Sequence, residues 1–184
     1  MAFTVEDGTA KTDSNAYCDT AFVDAWFAET GGNATWTALT SDQKQQSIVK
    51  ATRYIDSLFG TRFVSRRTNR SQSLQWPRVA YWDDGVRVFA SNEVPEKLKR
   101  ACAEYAVRAS AASLISDPAD SRQVEEKTEQ VGPLRRTYKY GTANATNLPS
   151  SMADAASVKS YPEADMWLEE LLSGNRTSFE LGRA

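Results

Sequence analysis

Thr40-Ser41-Asp42-Gln43-Lys44-Gln45-Gln46-Ser47-Ile48-Val49-Lys50-Ala51-Thr52-Arg53-Tyr54-Ile55-Asp56-Ser57-Leu58-Phe59-Gly60 is the most strongly patterned stretch of this chain. Ile48, Ala51, Thr52, Ile55, Leu58 and Phe59 recur at three- and four-residue steps, the period of one helix face. Thr40 and Gln43 have the hydroxyl-to-amide spacing of a capping box, and Gly60 ends the pattern. A stripe of this kind is core. Towards the N-terminus, Asp19 or Thr20 can cap a helix to about Thr30, with Phe22, Trp26 and Phe27 on one side. Gly31 suits the left-handed position after it. Downstream, Val94-Pro95-Glu96 opens a second strong helix, which the pattern carries to about Ser116 before Asp117-Pro118 ends it. Leu98, Ala101, Cys102, Tyr105, Ala109 and Ala112 line one face of it. Ala103, Ala106, Ala111 and Ile115 widen the apolar surface, predicting burial on several sides, with a subunit contact among them. The expected fold is mainly α, a small helical bundle.

Between the two strong helices the helical period is lost. Pro77, the turn Asp83-Asp84-Gly85 and the alternating Val86-Arg87-Val88-Phe89 predict a long, partly extended loop over residues 57–92. Residues 122–140 read as a β-hairpin around Val131-Gly132-Pro133, acidic in its first arm and basic in its second. Residues 141–160 have linker composition. Pro162 then starts a short helix with Met166, Trp167, Leu168, Leu171 and Leu172 apolar, followed by a polar tail that holds Phe179 and Leu181. The predicted organisation is a helical core over 1–140, and a linker, short helix and extended C-terminal arm over 141–184.

Composition excludes several classes of function. The chain has 184 residues, formal net charge −2 and no histidine. Without histidine there is no Ser-His-Asp or Cys-His arrangement and no commonest metal ligand. Gly31-Gly32 is followed by Asn33-Ala34, which is not a phosphate-cradling loop. Cys18 and Cys102 lack metal-ligand spacing, and Cys102 reads as a small buried hydrophobe. No enzyme activity, cofactor or metal is expected. No stretch approaches the ~18 apolar residues of a membrane span, and the opening turns acidic before any apolar run forms.

The stretch Ser57–Trp82 carries five arginines (Arg62, Arg66, Arg67, Arg70, Arg78) and no acidic residue. Trp76, Tyr81 and Trp82 stand at its end. Guanidinium beside ring faces suits a nucleic-acid strand, whose phosphates take the charge and whose bases stack. It equally suits protein carboxylates, which the arginine fork grips with two bonds. Trp76, before Pro77 and beside Leu74 and Val79, reads as a packed anchor rather than a stacking platform.

The order of these parts resembles a family of phage proteins labelled DnaT-like or single-stranded-DNA-binding. The resemblance is carried by Asn15-Ala16-Tyr17, Ala25-Trp26-Phe27, Gly32-Asn33-Ala34-Thr35-Trp36 and Lys50-Ala51-Thr52-Arg53-Tyr54-Ile55-Asp56. It continues through Leu74-Gln75-Trp76-Pro77-Arg78, Val94-Pro95-Glu96-Lys97-Leu98-Lys99-Arg100-Ala101, the Glu-Lys to Val-Gly-Pro hairpin and Tyr161-Pro162. It covers roughly residues 1–172. These genes sit among head-morphogenesis genes, and the fold resembles small head–tail connectors. The resemblance implies a virion neck protein assembled in the host cytoplasm: an adaptor forming a probable twelve-fold ring between portal and tail, with packaged DNA passing through its lumen. On that reading Arg62, Arg66, Arg67, Arg70, Trp76, Arg78, Arg135, Arg136, Phe179 and Leu181 would contact the portal or a neighbouring subunit. The alternative is single-stranded-DNA binding through Arg62, Arg66, Arg67, Arg70, Tyr81 and Trp82.

Overall fold

A computed structural model describes residues 2–83, 85–115 and 161–172, and the backbone of 126–131 and 134–139. The helix that decides the fold forms where its pattern requires, as α3 over Ser41–Phe59. α1 covers Thr20–Glu29 and α2 Ala34–Thr37. The Thr40–Gln43 capping box is made in both directions, and Asp19 and Asn33 cap α1 and α2 through their side chains. Gly31 has φ +101°, as the left-handed end of α1 demands. Gly60 stands there for a different reason from the one its position suggests. Its φ is −53°, and a Cβ would meet the Asp56 carbonyl and the side chain of Gln75, so glycine lets the following loop close on the helix end.

The second long helix, α4, spans Glu96–Ala111 and packs mainly on α3. Ile48, Ala51, Thr52 and Ile55 are fully buried, as are Leu98, Ala101, Cys102 and Tyr105. Thr52 Oγ1 lies 3.5 Å from Cys102 Sγ and accepts from Tyr17 N, so three segments meet at one hydroxyl. Both cysteines are buried free thiols. α4 stops short of Ser116: Ala112 turns to extended geometry, and Ala111 and Ala112 are exposed, so no packing holds a further turn. Ala101, Ala103, Ala106 and Ala109 are buried within the chain itself, where α1, α2, α3 and α5 (Pro162–Asp165) contact α4. Most of the small residues on this surface are therefore covered within the chain, while Ala111, Ala112 and Ile115 stay exposed.

Two antiparallel hairpins complete the described elements. β1 (Tyr81–Asp83) pairs with β2 (Val86–Phe89), and β3 (Glu126–Val131) pairs with β4 (Leu134–Lys139). The β3–β4 register sets Glu126 opposite Lys139 and Glu129 opposite Arg136, in keeping with the acidic and basic arms read from the sequence. Residues 115–159 form a compact unit of their own. The other unit joins residues 1–114 to residues from 160 onward.

The described residues are partly helical with small antiparallel hairpins, and nothing in them supports the expected connector-type bundle: α3 and α4 are the only described helices longer than ten residues. Pro162 starts the expected short helix, and the segment to Leu172 packs on the core, whereas the expected arm from residue 173 lies outside the described residues. Ala164, Leu168 and Leu171 are buried, Tyr105 donates to Asp165, and Arg108 and Lys97 pair with Glu163 and Glu170. Side chains pin the long loop from within.

Candidate functional site

The loop between α3 and β1 is built around Arg78, which is only 5% exposed. Its guanidinium donates to five main-chain carbonyls. Nη1 reaches Phe63, Val64 and Ser65 at 3.1, 3.3 and 2.6 Å, Nη2 reaches Gly60 at 2.9 Å, and Nε reaches Gln75 at 3.2 Å. An irregular loop has no ladder to satisfy its carbonyls, and a buried arginine supplies the donors instead. Gln72 acts similarly: its Nε2 donates to the carbonyls of Leu74 and Pro77, and its Oε1 accepts from Asn69 N. Ser65, at φ +64°, occupies the left-handed region sparsely used by residues with a Cβ, and Arg78 and Val79 hold it there through its carbonyl and hydroxyl.

Asp56 links this loop to α3. Its carboxylate accepts from Tyr17 Oη and from Gln75 N, the latter at 3.1 Å. Burial pushes its pKa up to about 6, against the lowering effect of those two hydrogen bonds and of the nearby Arg78 and Arg67 charges. Burial also lowers the Arg78 pKa, which the negative charge of Asp56 opposes. Beneath the loop an aromatic column runs from Phe63 to Trp76 (5.5 Å between centroids), Trp76 to Phe89 (4.7 Å) and Phe89 to Tyr81 (6.1 Å).

This scaffold separates the arginine stretch into two classes. Trp76 is fully buried and Arg78 nearly so, with its donors committed to the chain, so both leave the set of surface contact residues. Tyr81 is half-buried in the column. Arg62, Arg66, Arg67 and Arg70 are exposed, and among the described residues none of them pairs with a carboxylate within 4 Å. Arg135 and Arg136 are described only as backbone positions in β4. Phe179 and Leu181 lie outside the described residues.

Hydrogen bonds join the arginine loop at Arg66 and Thr68 to the segments that flank the hairpin. Val79 N donates to Arg66 O at 2.9 Å, Thr68 N to Pro77 O at 3.2 Å, and Thr68 Oγ1 to Ser91 O at 3.1 Å. The strand-like segment around Arg67 therefore lies beside the chain that becomes β1. On that hairpin Trp82 is 59% exposed, and its cross-strand partner is the exposed Arg87. Arg87 was not among the residues singled out from the sequence. The signal was available, since Trp82 and Arg87 stand symmetrically about the dipeptide Asp84-Gly85.

A second concavity, of about 540 Å³, lies at the start of α4. Lys97 pairs with Glu170, Arg100 pairs with Glu96 and lies over the rings of Trp26 and Trp167, and Lys99 lies over the ring of Phe22, while four carboxylates, Asp7, Glu93, Glu96 and Glu170, share the lining. The arginine–hairpin surface is the better anion site.

A model of a family described as "Putative DnaT-like ssDNA binding protein" matches residues 1–184. No curated protein and no solved structure matches the chain. The family description points to single-stranded DNA and overturns the principal expectation of a head–tail adaptor, with its virion and portal-binding attributes. Nothing in the comparisons supports a ring, a portal or a tail as partner. The arginine loop was read as a protein-docking feature because guanidinium serves carboxylate and phosphate alike. Pattern alone did not separate the two.

Proposed function

The chain belongs to this DnaT-like family, and from that premise we propose that it binds single-stranded DNA, without catalysing a reaction, through the surface formed by Arg62, Arg66, Arg67, Arg70, Trp82 and Arg87. One observation carries the proposal: four exposed arginines, without carboxylate partners among the described residues, stand on a loop whose main chain is bonded at Arg66 and Thr68 to residues 77–79, the segment that leads into the hairpin presenting Trp82. The arginines supply phosphate contacts and the indole supplies a sequence-tolerant stacking face. A chain of net charge −2 has no bulk attraction for a polyanion, so binding must come from this patch.

Fluorescence anisotropy with a labelled oligothymidine tests the proposal. Replacing Arg66 and Arg67 together by Glu should weaken binding at least tenfold and flatten its salt dependence, since each single-strand phosphate contact contributes about 0.7 to the log–log slope. Trp82→Ala should cost ~1–3 kcal/mol. Arg53→Glu, exposed on α3, serves as the charge control. Absence of oligonucleotide binding at low salt, or equal loss with Arg53→Glu, would overturn the proposal.

A further inference from the structure

Trp82 and Val86 are 59% and 68% exposed, large apolar side chains left in water at the end of one short hairpin. The pairing register fixes which face each belongs to. Tyr81 pairs with Phe89, Trp82 with Arg87 and Asp83 with Val86, with the register shifting between the first two pairs so that Val88 is the extra residue of a bulge. Paired residues of an antiparallel ladder share a face, and successive residues alternate. Trp82 and Arg87 therefore occupy one face. Val86 occupies the other, together with Tyr81 and Phe89. At the root that second face is core, because Phe89 is buried against Trp76. At the tip the same face holds Asp83 and Val86, and Val86 is left 68% exposed.

We propose that the β1–β2 hairpin inserts between two successive bases of a single strand, one base on Trp82 and the next on Val86, rather than offering a one-sided stacking platform. This rests on the single-stranded-DNA reading above. An apolar wedge with a side chain on each face suits two separated nucleobases, and apolar side chains are used to part base steps. The root supplies the stiffness a wedge needs, through the Tyr81–Phe89–Trp76–Phe63 column and the Ala80 N to Ser91 Oγ bond of 3.0 Å. Charge orients the strand. Arg87 beside Trp82 and the arginines of the adjoining loop attract phosphate, so the backbone passes on the arginine side and the bases reach the tip.

The test uses the full chain and an oligodeoxynucleotide carrying two adjacent 2-aminopurines, whose exciton-coupled circular dichroism vanishes when the two bases are parted. The wild type should abolish that signal on binding. Val86→Ser should weaken binding about fivefold and leave the signal in the bound strand. Met166→Ser, at an equally exposed apolar residue away from the hairpin, should do neither. Far-UV dichroism and thermal unfolding of Val86→Ser should match the wild type, because its side chain is largely exposed. If the strand binds and the Arg66/Arg67 double charge reversal abolishes binding, yet Val86→Ser binds like the wild type with the signal intact in both, the wedge is wrong and the DNA site stands. If the wild type binds no oligonucleotide, the parent reading fails as well.

Discussion

Arg78 shows how one side chain can be read correctly as important and incorrectly as exposed. Its position in an arginine-rich, acid-free stretch made it a contact candidate, yet it is the internal donor that satisfies the carbonyls of residues 60–65. Lysine cannot replace it, because one ammonium cannot span five acceptors. Arg78→Lys should lower unfolding free energy by about 3 kcal/mol or more, from the carbonyls left unpaired, as read from the urea midpoint; a change below 1 kcal/mol would contradict the scaffold role. Asp56 provides a second prediction. Its folded pKa of about 6 lies above the unfolded value of 3.8, so the folded state holds the proton more tightly. The associated stability is present below about pH 4 and is lost as pH rises through about 6, a term of roughly 1–3 kcal/mol. Asp56→Asn keeps an acceptor for Gln75 N and can donate to Tyr17 Oη. It should remove that part of the pH dependence, and an unchanged slope between pH 4 and 7 would contradict the assignment.

Among the elements, the helices were legible in the sequence and the loop was not. α1, α3 and the start of α4 announce themselves through period and caps, which are local signals. The end of α4 depends on whether neighbours cover Ala111 and Ala112, which no local pattern records. The loop over 61–79 depends on contacts far apart in sequence, from Arg78 to Gly60 across 18 residues to Ser73 and Lys11 across 62. Its packing therefore stays invisible to a reading of periods, although Trp76 was recognisable as an anchor from its apolar neighbours and Pro77. The C-terminal segment was legible as a short helix but its docking was not, because its partners Tyr105, Arg108 and Lys97 lie more than 50 residues earlier. Truncation after residue 160 should therefore do more than shorten the chain. Removing Ala164, Leu168 and Leu171 uncovers Tyr105 and α4, and should cost about 3–5 kcal/mol in chemical denaturation. A truncated chain as stable as the full one would show that the segment is not part of the fold.

At the scale of the molecule, a slightly acidic chain concentrates uncompensated positive charge in one loop and places an exposed indole beside it. The sequence showed the charge and the rings but left two classes of partner open, since a guanidinium does not reveal which anion it meets. The structure narrowed the surface by withdrawing Trp76 and Arg78 and adding Arg87, and the family match supplied the direction towards DNA. Ultraviolet crosslinking of the full chain to a single-stranded oligonucleotide, followed by peptide mass mapping, tests that account most directly. The account predicts crosslinks at Trp82 and in the peptides spanning Arg62–Arg70 and Arg87, all lost at high salt. Crosslinks confined to other surfaces, such as the Trp26–Trp167 face of α1 and α4, would contradict it.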